Sequence, residues 1–269
     1  MRLHLLARPA ASGGVPDLAP LRRPEAVLLA AVLAALAVAL LGPPLALPAH
    51  YHAFADQRSA WGVPHMADVL SNLPFALLGA LGLRALVRWP AGALPGSAQR
   101  GLFAWLCIGL LLTWVGSSRY HWQPDDVGLA WDRGGMSIAF AGLLGLAVAD
   151  RLSARAGWAL ALSLLLLAPL AALLPLFTGN MLPWVVLQAG GLVLLAVLAG
   201  RPPQPGALRW SLSTVLALYL LAKGLELADH AIFGLTHNLL AGHTLKHLVA
   251  AGAVWPVIRT FWPPTLRRF

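Results

Sequence analysis

The chain has 269 residues, of which 59% are hydrophobic and 11% are charged, and its formal net charge is +9. Several apolar runs approach the ~20 residues that a helix needs to cross a bilayer core. This composition excludes an ordinary soluble domain and predicts a polytopic membrane protein. Its basic residues lie in short connections between apolar runs, where membrane proteins carry them, so the charge does not indicate nucleic-acid binding. The single cysteine, Cys107, excludes an intrachain disulfide and a cysteine metal cluster.

The first predicted element is an apolar run over about 26–42, preceded by an arm over 1–24. Two interpretations stay open for it: a cleaved signal peptide, or a retained transmembrane helix within 25–47. Signal peptides have a shorter basic arm and end at a small-x-small cleavage site. The long arm and the absence of a clear site of that kind favour retention.

Seven further spans are predicted, which form a core over 66–262 followed by a tail at 263–269. A polar loop over about 48–66 precedes them, and short connections rich in proline or glycine separate them. The expected ranges are 67–88, 101–121, 126–148, 157–176, 183–199, 208–229 and 238–261. The predicted fold is therefore an all-α transmembrane helix bundle, a seven-helix core plus one extra N-terminal transmembrane helix.

The distribution of arginine predicts how the bundle is oriented. With spans of alternating direction, 14 of the 17 arginines fall on one side, and Arg58, Arg119 and Arg133 fall on the other. Because basic residues concentrate in cytoplasmic loops, we expect both termini in the cytoplasm. Arginine exceeds lysine by 17 to 2, which is typical of a GC-rich bacterial genome and suggests a bacterial inner membrane. All histidines except His4 then lie at or near the periplasmic side.

The segment 116–136 places three reactive side chains between two apolar runs. Pro124 is expected to end the preceding helix near His121, since the residue before a proline avoids the α region. Asp125 or Asp126 is then expected to cap the next helix. Ser117 lies four residues before His121 and thus on the same helix face. Asp132 lies roughly two turns into the next helix, about 10 Å deep at ~1.5 Å per residue. All three side chains are therefore expected to converge.

His243 and His247 are four residues apart, so they project from one helix face. Alone, this spacing is equally compatible with two hydrogen-bonded interfacial histidines. His121 is expected at the same membrane depth, and three histidines plus a water form the open tetrahedral site of a catalytic zinc. Asp132 could then accept a proton or orient a ligand, and Ser117 could donate to a developing oxyanion. An ion pair of Asp132 with Arg133 or Arg119 is the alternative.

Other polar residues within the spans are candidates for a supporting shell, because polar groups in spans usually face a cavity or the bundle interior. Pro74 is expected to kink the helix beside Asp68, Ser71 and Asn72. Glu226 could instead form a simple pair with Lys223, three residues before it. The candidates are Asp68, Ser71, Asn72, Glu226 and Lys246.

The pattern Ser117-x3-His121, then Asp132, then His243-x3-His247 resembles the CREST superfamily of seven-span membrane hydrolases. This superfamily includes alkaline ceramidases and progestin and adiponectin receptors. The Ser71-Asn72 pair resembles the first-helix motif of the family, and the resemblance runs from about residue 66 to the end.

The resemblance implies a zinc ion held by His121, His243 and His247, with Ser117 and Asp132 beside it. It also implies hydrolysis of a lipid amide such as ceramide to a fatty acid and a sphingoid base. The chain departs from alkaline ceramidases in two places. The loop before the core offers only Asp56 and Asp68 as acids, so calcium binding is not expected. Arg133-Gly134-Gly135-Met136 replaces the ceramidase Glu-Leu-Pro-Met, so the substrate could differ from ceramide.

Three other functions are compatible with histidines and polar residues in a helix bundle. A receptor or sensor would keep the zinc site without turnover, but the sequence has no soluble output domain. A haem-binding electron-transfer bundle leaves Ser117 and Asp132 unexplained. A transporter usually carries an inverted repeat, which this sequence does not show. We therefore expect a zinc-dependent lipid hydrolase, with the receptor as the main alternative and membrane lipids, not nucleic acid, as partners.

Overall fold

The computed structural model describes residues 20–89 and 96–262. The predicted tail, 263–269, and most of the predicted arm, 1–24, lie outside these residues. The described part of the chain is all-α, with only two isolated β-bridges. Its helices are α1 (Arg23–Leu41), α2 (Met66–Leu70), α3 (Leu73–Val87), α4 (Ser97–Trp122), α5 (Asp126–Arg151), α6 (Ala154–Thr178), α7 (Leu182–Ala199), α8 (Leu212–Leu227), α9 (Asp229–Leu235), α10 (Gly242–Ala253) and α11 (Trp255–Thr260).

Six helices in the described ranges are long and apolar enough to cross a membrane. They are α1, the joined α2–α3, α4, α5, α6 and α7. This confirms an integral membrane protein with the predicted all-α polytopic bundle. The expected seventh span corresponds to α8 with its continuation α9, and the eighth to α10 followed by α11.

The helix ends at 122–126 follow from local sequence as predicted. α4 stops at Trp122, just before the Gln123-Pro124 pair. Asp125 caps α5, because its carboxylate accepts a hydrogen bond from Gly128 N at 2.5 Å. Such a cap satisfies one of the N–H groups that have no partner inside the helix. The consecutive ends of α4 and α5 therefore meet at one end of the bundle, which we call the histidine end.

The last two spans begin later than predicted. α8 starts at Leu212 rather than near 208, because the buried Asp150 holds Leu208 N at 2.6 Å and keeps the preceding segment out of the helix. α10 starts at Gly242 rather than 238, since His237 and Asn238 adopt positive φ angles of 52° and 63°. A left-handed conformation cannot continue a right-handed helix. The helix also breaks at Val254, just before Pro256, which separates α10 from α11.

Glycines spaced by seven residues bring α4 and α5 into close contact. They are Gly109 and Gly116 on α4, and Gly128, Gly135 and Gly142 on α5. A Cβ at Gly116 would lie 2.3 Å from Trp131 O, and one at Gly142 would lie 2.2 Å from Leu106 N. Small residues at this spacing let two membrane helices approach backbone to backbone. This contact places Ser117, next to Gly116, against the turn of α5 that carries Asp132.

Contacts at both of its ends attach α1 to the core. Near its start, the buried Glu25 accepts hydrogen bonds from Ser153 Oγ at 2.6 Å and from Arg155. After its end, Met181 N donates to Leu45 O at 2.7 Å. Most of the helix surface between these points is exposed, as expected for a lipid-facing span. Such attachments suit a retained helix, so retention stays the prediction for this segment.

The close contact of α4 with α5 leads to a paired test at adjacent glycines. A Cβ at Gly135 would lie 2.5 Å from Leu112 C and Thr113 N, whereas one at Gly134 would meet nothing within 4 Å. We expect Gly135→Ala to destabilise the protein by about 1–3 kcal/mol, the usual cost of overpacking. Gly134→Ala should be neutral or stabilising by up to about 1 kcal/mol. Thermal unfolding in detergent measures both. Equal melting temperatures for the two variants would contradict the close backbone contact.

Candidate metal centre

The three histidines predicted as ligands lie together at the histidine end. His121 lies in the last turn of α4, while His243 and His247 occupy successive turns of α10. All three are buried. The ring centroids lie 4.8 Å apart for His121–His243 and His121–His247, and 4.9 Å apart for His243–His247. One nitrogen from each ring lies within 4.8 Å of the corresponding atoms of the other two. The structure therefore contains a buried three-histidine group that could hold one metal ion.

The hydrogen bonding of this group is incomplete. His121 is fully buried, yet neither Nδ1 nor Nε2 has a partner among the described residues. His247 Nε2 is likewise buried without a partner. Leaving a buried polar nitrogen without a hydrogen bond costs about 1–3 kcal/mol, so such atoms need an explanation. A cation bound between the three rings would satisfy one nitrogen of His121 together with Nε2 of His247.

Ser71 fixes the orientation of His247. The Ser71 hydroxyl donates to Asp68 O at 2.9 Å, so its oxygen must accept the hydrogen bond from His247 Nδ1–H at 2.8 Å. The proton on Nδ1 leaves Nε2 with a free lone pair that faces the other histidines. Histidine ligands usually have their second nitrogen held in this way. Ser71 thus contacts His247 directly, and its role in supporting a metal ligand stays a prediction.

Asp68 and Asn72 support the same turn of chain. Thr244, between the two histidines of α10, donates to Asp68 Oδ1 at 2.6 Å. Asn72 Nδ2 donates to Asp68 O at 2.8 Å. Asn72 is also the cap before α3, where the span breaks between α2 and α3 beside Pro74. The predicted kink is thus real, and it turns these polar residues toward α10.

His243 is held by Asp229 of α9 and by Lys246, which lies one turn farther along α10. Asp229 Oδ1 accepts from His243 N at 2.7 Å, which fixes the start of α10. Lys246 Nζ lies 2.8 Å from His243 Nε2 and also donates to Glu226 Oε1 at 2.8 Å. Since an ammonium can only donate, this contact occupies the lone pair of Nε2, and a metal would bind that nitrogen once Lys246 moves wholly to Glu226.

Ser117 and Asp132 form the second part of the site. Both are buried, and Ser117 follows Gly116, whose backbone packs closely against Trp131 and Asp132 of α5. The alternative of an Asp132 ion pair with Arg119 or Arg133 does not occur in the described structure. The charged group with the largest electrostatic effect on Asp132 is instead Lys246, beside His243. The carboxylate is thus available to exchange protons with a molecule at the site.

Lys223, Glu226 and Lys246 form a charge network along one side of the site. Glu226 pairs with Lys223, three residues before it, as the sequence suggested. It also pairs with Lys246 on α10, which the sequence did not predict. Glu226 therefore serves two ammonium groups, and it connects α8 to the helix that carries two histidines.

The loop before α2 covers two of the three histidines. Phe54 is 4% exposed, and its ring lies 4.6 Å from that of His121 and 4.5 Å from that of His243. Asp229 Oδ2 holds this segment by accepting from Ala55 N at 2.9 Å. Neither the contact of Phe54 with the histidines nor that of Asp229 with Ala55 was predicted from the sequence. A lone phenylalanine in a polar, histidine-rich loop was the only signal for Phe54.

An ion pair between the buried Asp56 and the largely exposed Arg58 holds part of this loop. Arg58 donates to both carboxylate oxygens of Asp56, from Nε at 2.8 Å and from Nη2 at 2.6 Å. Burial raises the pKa of Asp56, but the hydrogen bonds and charge of Arg58 outweigh burial, and the pKa lies below its usual value. The pair therefore stabilises the loop above the normal pKa of an aspartate, and the stabilisation is lost as the pH falls through the lower, folded-state pKa.

The residues present fit a transition-metal ion better than other occupants. Three neutral imidazoles are typical ligands of zinc and leave a fourth position open. Calcium prefers six to eight oxygen ligands. The two acids expected near the loop are engaged elsewhere, Asp56 with Arg58 and Asp68 with Thr244. The donor set and the unpartnered nitrogens are thus what a zinc site requires.

Comparison with known proteins found no relative of this chain. No protein-family model matches the chain, and no curated protein matches it. The geometry of the site is therefore the basis for its proposed function.

The Ser71–His247 hydrogen bond leads to a test of the metal site. Removing such a supporting bond typically lowers metal affinity about 10–100-fold, so Ser71→Ala should weaken zinc binding by that factor. The matched control is Ser163→Ala, since the exposed Ser163 hydroxyl donates only to Ala159 O within α6. Competition with a chromogenic chelator measures both affinities. Unchanged affinity in Ser71→Ala would show that Ser71 does not orient a metal ligand.

Proposed function

We propose that this protein is a zinc-dependent membrane hydrolase of the CREST type, which cleaves the amide bond of ceramide-like lipids. The observation that carries the proposal is the buried three-histidine group with unpartnered nitrogens on His121 and His247. The adjoining Ser117–Asp132 pair supports hydrolysis over metal storage. Neither group is needed to pack a helix bundle.

His121, His243 and His247 would hold the ion. A bound zinc supplies Lewis acidity and lowers the pKa of a water to ~7, so hydroxide is available at neutral pH. The chain's own residues do the rest. His247 is held ready by Ser71, and His243 by Asp229.

Asp132 and Ser117 supply the proton and hydrogen-bond chemistry. Asp132 is suited to accept a proton from the attacking water and return it to the leaving amine nitrogen. The Ser117 hydroxyl has one proton to donate, and once Asp132 is protonated it is suited to donate that proton's hydrogen bond to the oxygen of the scissile carbonyl, where negative charge develops. Phe54 excludes bulk water from the histidines, which strengthens both interactions by lowering the local dielectric.

A lipid substrate suits the position of the site. The histidines lie at one end of a bundle whose surface is largely apolar and faces lipid. The arginine distribution supports a position of this end at the periplasmic face of a bacterial inner membrane, with both termini in the cytoplasm. A substrate with its polar group at the interface and its acyl chain in the bilayer would bring its amide bond to this depth. The receptor alternative shares this geometry and differs only in the absence of turnover.

Metal content and turnover in three proteins test the proposal. Mass spectrometry should find about one zinc per chain in wild type and in Asp132→Asn, and much less in His243→Ala, as expected for a three-histidine site. Asp132→Asn should hydrolyse acyl amides about 10²–10⁴-fold more slowly, the usual effect of losing a general base.

The three proteins also separate the alternatives. Zinc in wild type without release of fatty acid from any ceramide or acyl amide would favour the receptor. Wild type purified without chelators and free of zinc would remove the proposed function altogether.

A further inference from the structure

The charged group that the proposed chemistry leaves unused is Arg133, next to Asp132 on α5. Arg133 is 2% exposed, yet none of the ion pairs in the described ranges includes it. A guanidinium is always protonated and carries five N–H donors. Burying such a charge without an anionic partner is costly, which in membrane proteins usually marks a functional residue.

The contacts of Arg133 satisfy its charge only weakly. Nη1 donates to Met181 Sδ at 2.9 Å, and Nη2 donates to Tyr51 Oη at 3.1 Å. The guanidinium carbon lies 5.4 Å from the centroid of the Tyr51 ring and 5.3 Å from that of Trp184. A thioether and a phenol are neutral acceptors, and aromatic faces give only about 0.5–2 kcal/mol each. The side chain is therefore held in place without being neutralised.

Arg133 also lines a cavity of about 60 Å³ at the histidine end. The other polar side chain on its wall is Asp126, and that carboxylate is paired with His52 Nε2 at 3.0 Å. The remaining walls are mainly apolar and come from α5, the end of α6 and Leu47. The Asp126 carboxylate already has a histidine partner, so the Arg133 guanidinium is the charged group on this wall that is left to bind an anion.

An apolar crevice lies farther along the same side of α5. Phe140 and Leu144 follow Arg133 by seven and eleven residues, so they lie on the same helix face. They line a crevice with Leu187 and Gly191 of α7 and Tyr219 of α8. The crevice measures only about 20 Å³ and also includes Gln188, so an acyl chain of a molecule bound at Arg133 would have to lie along the apolar outer surface of the helices.

We propose that Arg133 binds a carboxylate or phosphate on the substrate, so that the enzyme prefers acyl amides whose amine half is anionic. This inference rests on the proposed function and specifies its substrate class. The planar guanidinium can give two parallel hydrogen bonds to such a group, and Tyr51 can add a third from its hydroxyl. Arg133 and Asp132 lie in the same turn of α5 and interact electrostatically, so an anion held by the guanidinium lies within one helical turn of the proposed general base.

Binding of two matched probes to the full-length protein tests the proposal. N-dodecanoylglycine carries a carboxylate, and N-dodecanoylglycinamide has the same chain and amide bond without the charge. In neutral detergent, calorimetry should give a preference of about tenfold or more for the charged probe in wild type, as a charge-assisted hydrogen bond supplies. Mass spectrometry of the same samples reports cleavage separately. Failure of the hydrolase proposal therefore appears as intact probe, independently of the binding preference.

Three variants separate charge recognition from packing. Arg133→Gln should reduce the preference to less than about twofold, and Arg133→Lys should keep part of it, because lysine keeps the charge but not the fork. Arg119→Gln is the matched control, since Arg119 is an exposed arginine at the histidine end of α4. It should keep the full preference and so corrects for partition of the charged probe into micelles.

Three results would overturn the proposal. The first is a wild-type preference below about twofold, which is less than one charge-assisted hydrogen bond provides. The second is equal weakening of both probes by Arg133→Gln and Arg133→Lys in protein of unchanged melting temperature, which would make Arg133 a packing residue. The third is displacement of N-dodecanoylglycine by an equal concentration of inorganic phosphate, which would identify a free-anion site.

Discussion

The burial of three imidazole rings around one point is the constraint on which the rest of the site depends. His121 is enclosed by protein, yet neither of its ring nitrogens has a hydrogen-bond partner in the described structure. A protein interior tolerates such a group only if something else satisfies it. The elements around the histidines are consistent with this need, since Ser71 holds one ring, Asp229 holds the backbone of another, and Phe54 covers two.

The histidines come from helices far apart in sequence, so helix packing must set their distances. The glycines on α4 and α5 allow a backbone contact that fixes His121 relative to Asp132. α10 is positioned by α8, through Glu226 and Lys246, and by α2, through Asp68 and Thr244. These are polar contacts within a membrane protein, where hydrophobic burial gives little drive for helices to associate. The same side chains thus serve both assembly of the bundle and support of the site.

Much of this arrangement could be predicted from the sequence, because it depends on local rules. The end of α4 before Pro124 and the Asp125 cap follow from backbone sterics and from unpaired N–H groups. The three histidines follow from helical spacing and from the expected depth of each span. The late start of α10 could not be predicted in this way, since it depends on left-handed conformations at His237 and Asn238.

Contacts between helices that are distant in sequence could not be predicted from local sequence patterns either. Lys246 lies between two histidines in sequence, but its pairing with Glu226 requires knowing that α8 and α10 are neighbours. From the sequence, an ion pair between Arg133 and its neighbour Asp132 was one of the alternatives. Adjacent residues on a helix point in different directions, and Arg133 turns toward α7 and Tyr51 instead. The residue proposed to set specificity was thus visible in the sequence, but its role was not.

The most direct test of the central claim is X-ray absorption spectroscopy at the zinc edge on purified protein loaded with one equivalent of zinc. We predict a four-coordinate ion with three imidazole ligands at about 2.0–2.1 Å and one further light atom. In His121→Ala the imidazole contribution should fall from three rings to two. A spectrum dominated by six oxygen ligands, or one unchanged by His121→Ala, would contradict the account, because the zinc would then lie outside the three-histidine group.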